Sequence, residues 1–477
     1  MTVPLDLASV LPEIIVAGAA MIVLLWDVLV GPRGRLGLAP LAILGVVAAS
    51  GALVWAGIRP PAFGGMYVRD LATQVLQVIA LLAAVIAVVL SLDYLRRFGL
   101  ERGEYYALLL MAALGAMVMA AARDLIVLFL GLETLSVPLY VLAASRRGNV
   151  RSQEAGMKYF LLGAFSTAFF LYGVALLFGA TGSTGLAALA QAAAGGLTPL
   201  LGAGTALLLI GLAFKAALVP FHAWAPDVYE GAPLPVTAFM AVIAKVGAFA
   251  ALVRVFPVAL AALADQWTVL LGALSIATMV LGNLVALLQR SMKRLLAYSS
   301  IAHAGYLLIG VAAGTAEGIW ALAFYLVVYL FMTLGAFGVV LLLTRAGEEA
   351  DQIEEYVGLG ARAPWLAGAM AVFMVSLAGL PPTGGFVGKL YLFNAALGAG
   401  QTAVALVAAL TTVVSVYYYL RIPYLMFVGG RASPLALLRA PAVRLAIIAA
   451  VVIVLLLGIF PGPLTEAVQP LAALVRR

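Results

Sequence analysis

Long apolar runs alternate with short polar stretches along all 477 residues, and each run is near 20 residues long. That is the length at which a helix crosses the hydrocarbon core of a bilayer. Fourteen such segments can be placed, at roughly 9–30, 37–57, 71–92, 105–121, 124–144, 155–179, 200–230, 233–256, 267–288, 297–314, 317–343, 364–398, 401–427 and 441–460. None shows the period-2 alternation of lipid-facing barrel strands. The pattern predicts an all-α polytopic membrane protein with about 14 transmembrane helices.

Composition agrees with the pattern. Hydrophobic types supply 65% of the residues and charged types 10%, against about half and about a quarter in soluble domains. The net charge of +7 is scattered through short loops, so it reads as a topology signal and not as a nucleic-acid patch. Loops after odd-numbered spans hold sixteen Lys and Arg: Arg33, Arg35, Arg96, Arg97, Arg102, Arg146, Arg147, Arg151, Arg290, Lys293, Arg294, Arg345, Arg362, Arg431, Arg439 and Arg444. The other side holds six: Arg59, Arg69, Arg123, Arg254, Arg476 and Arg477. This imbalance puts the odd loops in the cytoplasm and both termini outside, for a multi-pass protein of a bacterial-type inner (cell) membrane. The start carries Asp6 and Glu13 and no basic residue, which reads as a retained helix and not as a signal peptide. With no cysteine and two histidines, the chain offers no thiolate iron–sulfur ligands and no three-histidine zinc site.

Two spans cannot be simple helices. The seventh contains FKAALVPFHAWAPDVYEGAP with Pro220 and Pro226; the twelfth contains SLAGLPPTGGFVGK, where Pro381, Pro382, Gly384 and Gly385 are expected to interrupt hydrogen bonding. The breaks lie five spans apart, which suggests two five-helix units, spans 4–8 and 9–13, the second inverted because five is odd. The corresponding division is 1–104, an N-terminal three-helix segment; 105–256, the first repeat; 257–430, the inverted repeat; and 431–477, a last helix and tail.

Four charged residues fall inside spans: Glu133 in the fifth, Lys215 in the seventh, Lys245 in the eighth and Lys389 in the twelfth. Each costs about 2.5–3.5 kcal/mol at a helix centre, so together they demand partners, water or a polar cavity. A fixed Glu133–lysine salt bridge would account for two of them and leave two lysines without an acid. Burial disfavours the charged form of lysine, so such a residue can exchange its proton, and a relay is the alternative to static pairing. His303 can relay through its two ring nitrogens or simply pack. For His222 the expectation is capping or loop hydrogen bonding, for Lys158 and Arg421 interfacial placement, for the Tyr417–Tyr419 run packing and interface anchoring and not a quinone site, and for Glu348, Glu349, Asp351, Glu354 and Glu355 a solvated loop. Lys389 lies eight residues beyond the midpoint of its span, about 12 Å outward at 1.5 Å per residue.

The stretches GLETLSVPLYVL, EAGMKYFLLGAFSTAFFLYG, GLAFKAALVPFHAWAPDVYEGAPLPVTAFMAVIAKVGAFA, KRLLAYSSIAHAGY and SLAGLPPTGGFVGK resemble the antiporter-like membrane subunits of respiratory complex I. Among the sister types they resemble most the subunit N type: the M type carries glutamate where Lys389 stands, and the L type histidine where Lys245 stands. The resemblance implies a proton-translocating subunit of NADH–quinone oxidoreductase, in which Glu133 and Lys215 are the charged pair, Lys245 the linking lysine, His303 an intermediate carrier and Lys389 the outlet. It also implies no cofactor in this chain, with FMN, iron–sulfur clusters and quinone in partner subunits, and neighbouring antiporter-like subunits as partners. The alternatives are a subunit of a cation/proton antiporter complex and a purely structural membrane subunit.

Overall fold

The computed structural model describes residues 6–345, 348–428 and 435–475. Arg431, Arg476 and Arg477 lie outside the described residues, as do the side chains of Arg33 and Arg345. Thirteen helices among the described residues are long and apolar enough to cross a membrane: Leu7–Val30, Gly34–Ala56, Leu71–Arg97, Gly103–Ala121, Leu125–Ala143, Val150–Thr181, Pro199–Ala216, Leu234–Ala259, Ala261–Ala286, Met292–Ala312, Ala316–Leu341, Thr402–Val428 and Pro441–Ile459. The remaining crossing is a pair of shorter helices, Pro364–Ala378 and Gly384–Gly398. This pair is span 12, and with it the expected fourteen spans are all present. Two small features were not visible in the pattern. One is a short helix, Leu186–Ala194, before span 7. The other is a hairpin of β1 (Arg59–Ala62) and β2 (Tyr67–Arg69).

Spans 8, 10 and 11 are almost wholly enclosed by the other helices, whereas spans 1, 6 and 14 keep most of their surface open. Interior charge therefore has to sit on the enclosed helices or face them, and Lys245 and His303 do so.

The two proposed units begin with matching close crossings. On span 4, a Cβ at Gly115 would lie 2.2 Å from the Leu135 nitrogen of span 5. On span 9, a Cβ at Gly282 would lie 2.7 Å from the Ala302 nitrogen of span 10. Small residues allow backbones this close where the bilayer supplies no hydrophobic drive between helices.

Each unit also contains one broken span. In span 7 the first half ends at Ala216 and the chain turns before resuming as Trp224–Gly231. In span 12 the first half ends at Ala378 and the second starts at Gly384. Both first halves close with a left-handed residue, Ala217 (φ 60°) and Gly379 (φ 79°). The next amide then folds back on the helix, Leu218 N–H to Ala213 O at 2.8 Å and Leu380 N–H to Val375 O at 3.1 Å. The break in span 12 is displaced from the Pro381–Gly385 expectation. Gly384 and Gly385 are helical, and Gly385 is small because a Cβ there would lie 1.9 Å from Ser376 O.

Basic loops after odd spans converge on one end of the bundle. There β3 (Leu343–Arg345) pairs with β4 (Glu348–Glu349) and β5 (Ala436–Leu437). The acidic stretch on β4 and after it is not merely solvated, as expected from sequence. Glu349 meets Lys293 Nζ at 2.5 Å and accepts the Tyr94 hydroxyl at 2.7 Å, while Glu348 meets Arg146 at 2.6 Å. Arg421 reaches Glu354 at 3.5 Å. At the other end, Arg254 grips Asp70 through two nitrogens at 2.6 and 2.7 Å, and Arg69 donates to Ser9 O and Gly57 O. These two arginines are buried structural groups, so they do not act as exposed topology signals.

Two predictions follow from these close approaches. Gly115→Leu and Gly282→Leu should each abolish stable insertion, because no side-chain motion relieves contact with backbone; normal yield of folded protein on size-exclusion chromatography would contradict the paired crossings. Gly379→Ala should lower the thermal stability of the purified protein by about 1 kcal/mol through its positive φ, whereas Ala217→Gly should raise or preserve it. A melt in which the two substitutions have equal effects would overturn the cap assignment.

Candidate proton-relay site

Lys245 lies on the most enclosed span and has no carboxylate partner among the described residues. Its Nζ donates to Ser300 Oγ at 2.6 Å and stands 5.5 Å above the Tyr329 ring. Ser300 is a junction: the hydroxyls of Tyr329 and Tyr229 also reach its Oγ, at 3.0 and 3.2 Å. A hydroxyl can accept twice and donate once, so rotating these hydroxyls redirects the donors without moving a helix.

One turn further along span 10, His303 is fully buried between two more hydroxyls. Nδ1 lies 2.7 Å from Tyr325 OH and Nε2 lies 3.1 Å from Tyr419 OH. The imidazole also packs against the rings of Tyr329 and Tyr306, with centroids 5.4 and 5.8 Å away. Both histidine nitrogens are thus committed to groups that donate and accept. The Tyr417–Tyr419 run divides accordingly. Tyr417 is exposed, as expected of an anchor, but Tyr418 donates to Asn283 Oδ1 at 2.9 Å and Tyr419 joins His303 and Ser299.

Lys389 lies beyond the break in span 12, yet its side chain folds back. Nζ donates to Leu377 O at 3.2 Å and Ala378 O at 3.1 Å, the free carbonyls ending the first half-helix, and sits 4.4 Å over the Tyr306 ring. The negative end of a helix dipole favours a cation there. The ammonium is therefore at the break itself and not about 12 Å further out as the residue spacing suggested. Gly379 makes room for it, since a Cβ would lie 2.6 Å from Lys389 Cδ.

Lys215 occupies the last turn of the first half of span 7. Its Nζ donates to Tyr159 OH at 3.1 Å and lies 5.2 and 5.7 Å from the Tyr159 and Tyr140 ring centroids. Tyr159 is stacked on Trp224 at 4.4 Å, and Trp224 Nε1 donates at 2.9 Å to the Phe214 carbonyl, which also accepts the Ala217 N–H. Trp224 meets Tyr229 edge-on at 6.2 Å, and Tyr229 leads to Ser300.

Glu133 and Lys215 form no direct ion pair among the described residues. Glu133 instead accepts the Thr167 hydroxyl at 2.7 Å. It is half-buried, on a face of span 5 whose other members, Ile126, Leu130, Val137 and Val141, are exposed. His222 is half-buried with its Nδ1 unpaired, and Lys158 pairs with Glu154 and Asp227, both at 2.7 Å.

The structure thus brings Lys245, His303 and Lys389 together, places Lys215 one aromatic layer away and leaves Glu133 at the lateral edge. Sequence reasoning missed Ser300, Tyr229, Tyr325, Tyr329 and Tyr306, because hydroxylated residues carry no prohibitive cost in an apolar span. It also missed Glu13 as a site: this buried carboxylate accepts the Tyr67 hydroxyl and the Gln77 amide, both at 2.5 Å. The buried acid in span 1 was the available signal.

Residues 122–415, which contain every group of this network except Tyr419, match the family described as NADH:quinone oxidoreductase/Mrp antiporter, TM. Over 99% of its length the chain is 44% identical to NADH-quinone oxidoreductase subunit N of Trichlorobacter lovleyi, of which 98% is covered. A chain in the structure of respiratory complex I from Thermus thermophilus with bound aureothin superposes with a TM-score of 0.83 at 41% identity, covering 96% of this chain and 99% of that one. A chain of the Mrp complex from a Dietzia species gives a TM-score of 0.85 at 25% identity, covering 98% and 97%. The protein belongs to the NADH:quinone oxidoreductase/Mrp antiporter membrane family.

Proposed function

We propose that this chain is a proton-translocating membrane subunit of an NADH–quinone oxidoreductase and that Glu133, Lys215, Lys245, His303 and Lys389 carry the proton. The observation that carries the reading is the buried run of exchangeable groups from Lys245 through Ser300, Tyr329 and His303 to Tyr306 and Lys389. Static pairing has no use for such an arrangement, since neither end contacts an acid among the described residues. Redox chemistry, with its FMN, iron–sulfur clusters and quinone, belongs to partner subunits, so the chain acts as a translocase part without a redox centre of its own. Neighbouring membrane subunits cover the open faces, span 5 among them.

In this reading the Arg-rich end faces the cytoplasm and both termini lie outside. Residues 105–256 and 257–430 act as the two inverted halves, flanked by 1–104 and 431–477. Glu133 tunes Lys215 through space. Loss of that influence lets Lys215 release its proton toward Lys245, and the hydroxyl and imidazole groups pass it to Lys389 at the second break. Cation/proton antiport is the other reading within the family. It is supported by the Mrp likeness, and it is weaker because identity falls from 44% and 41% to 25%.

Lys245→Ala and Lys389→Ala should each lower NADH-driven proton uptake into proteoliposomes by about a hundredfold, the lower end of the range for removing a positioned acid–base group. Electron transfer from NADH to an artificial acceptor should persist in the same preparations. Normal proton yield and turnover in both variants would remove the relay, and sodium-dependent proton flux without NADH would favour antiport.

A further inference from the structure

Beside the Lys245–Ser300 junction, toward the Arg-rich end, lies a second built feature that the relay does not use. A polar cavity of about 480 Å³ opens between spans 3, 6 and 10 and the connection from span 7 to span 8. Glu349 and Lys293 lie in its lining, with Glu230 and Arg151 among their neighbours. Lys293 is buried, and its Nζ bonds Glu349 at 2.5 Å and the carbonyls of Glu230 and Ala232 at 3.0 Å each. Glu349 also accepts the Leu234 N–H, the first amide of span 8, at 3.1 Å. One carboxylate therefore ties together span 3 through Tyr94, the start of span 8 and the start of span 10.

The position of this pair is what gives it a use. Lys293 and Ser300 share span 10 and stand seven residues apart, about 10 Å at 1.5 Å per residue. Tyr229, next in sequence to Glu230 of the cavity wall, places its hydroxyl on Ser300. Lys245 thus has a polar cavity two helical turns away, and the last charged groups before the apolar stretch are Glu349 and Lys293.

We propose that this cavity is the proton-uptake site for Lys245, with Glu349 as the collecting carboxylate and Lys293 as the group that hands the proton inward. The proposal rests on the relay reading above. The step balances as follows. Glu349 takes a proton from cavity water and becomes neutral, so Lys293 loses its counter-ion and releases an ammonium proton toward Ser300 and Lys245. Glu349 then returns its proton to Lys293 and the ion pair reforms, for a net transfer of one proton from cavity to relay.

The charged and titratable groups facing Glu349 are Lys293 on span 10, Tyr94 on span 3, Tyr356 in the turn after β4 and Arg146 in the loop between spans 5 and 6; Arg151, Glu230, Glu348 and Asp351 share its cavity. Burial pushes the Glu349 carboxyl up, but Lys293 above all, with Tyr94 and the Leu234 amide, holds it below its ordinary 4.5. The ion pair is therefore intact above the ordinary carboxylate range and is lost as pH falls below it. At pH 7 the collecting state is populated less than about one part in three hundred, since each unit of pH is a factor of ten. Proton supply through Glu349 thus weakens as pH rises.

The test is Glu349→Gln, with Glu349→Asp as the conservative variant, in the assembled complex in proteoliposomes. Glu349→Gln should lower proton uptake several-fold and flatten its fall with rising pH; Glu349→Asp should restore both. A purely structural clamp would lower the yield of assembled complex and leave the pH profile of the assembled fraction unchanged, and that result overturns the proposal. Lys245→Ala, measured alongside, separates the two readings: if it pumps normally the relay fails, whereas a dead Lys245→Ala with a wild-type profile in Glu349→Gln removes the uptake site alone. If Glu349→Gln does not assemble, Arg151→Cys supplies the answer when compared with the unsubstituted complex labelled in parallel, because this chain has no native cysteine. A bulky thiol reagent on that cavity wall should block proton uptake, and undiminished uptake after full labelling overturns the proposal.

Discussion

A bilayer offers neither counter-ions nor hydrogen-bonding solvent, and the arrangement of this interior follows from how its three central lysines meet that constraint. None of them rests directly on a carboxylate among the described residues. Lys215 has a tyrosine hydroxyl and two aromatic faces, Lys245 a serine hydroxyl and one face, and Lys389 two carbonyls and one face. Removing one member of a buried ion pair leaves the other charge stranded at a cost of about 3–5 kcal/mol. A neutral partner loses far less when the ammonium gives up its proton, so each site can persist in both charge states. This separates the interior lysines from Arg254, whose bidentate grip on Asp70 belongs to a permanent joint.

The broken helices supply the carbonyls that such lysines need, and the two halves of the molecule use them differently. Both first half-helices stop on a left-handed residue and leave carbonyls at their negative ends. In span 7 the lysine belongs to that last turn itself, and the Phe214 carbonyl accepts both the Ala217 N–H and Trp224 Nε1. In span 12 the lysine comes from the following half and caps the turn before the break, which requires the glycine at 379. The break thus holds the Lys389 ammonium directly in the second unit, whereas in the first Lys215 turns from it to the Tyr159 hydroxyl and the Tyr159 and Tyr140 rings.

The sequence made the expensive features legible and hid the inexpensive ones. Glu133, Lys215, Lys245 and Lys389 were visible because each costs several kcal/mol in an apolar run, and both breaks were visible because proline cannot complete a helix ladder. Ser300 and the tyrosines that join the lysines were not, since a hydroxyl finds a backbone or side-chain partner in any helix bundle. Tyr417, Tyr418 and Tyr419 are identical in type and adjacent, and helical rotation alone puts one outside and two inside. Glu349 was misread for a related reason. A charge run in a loop normally faces water, and nothing local reveals that Lys293, 56 positions earlier, is waiting for it.

Glu133 differs from the other interior charges in facing sideways. A partly exposed carboxylate at mid-span on a stripe of exposed apolar residues is costly against lipid and tolerable only against a neighbour that supplies a donor. Because Glu133 does not touch Lys215, its hold is Coulombic and graded: at an effective dielectric of about 20, unit charges about 8 Å apart still interact by about 2 kcal/mol. A neighbour that draws the Glu133 charge toward itself, or neutralises it, weakens that hold without disturbing any contact of Lys215. Direct pairing would resist such control, since separating a contact pair requires breaking its hydrogen bonds as well. In the proposed relay, the lack of a direct ion pair would leave Lys215 adjustable from outside the chain while Tyr159 keeps its ammonium in place.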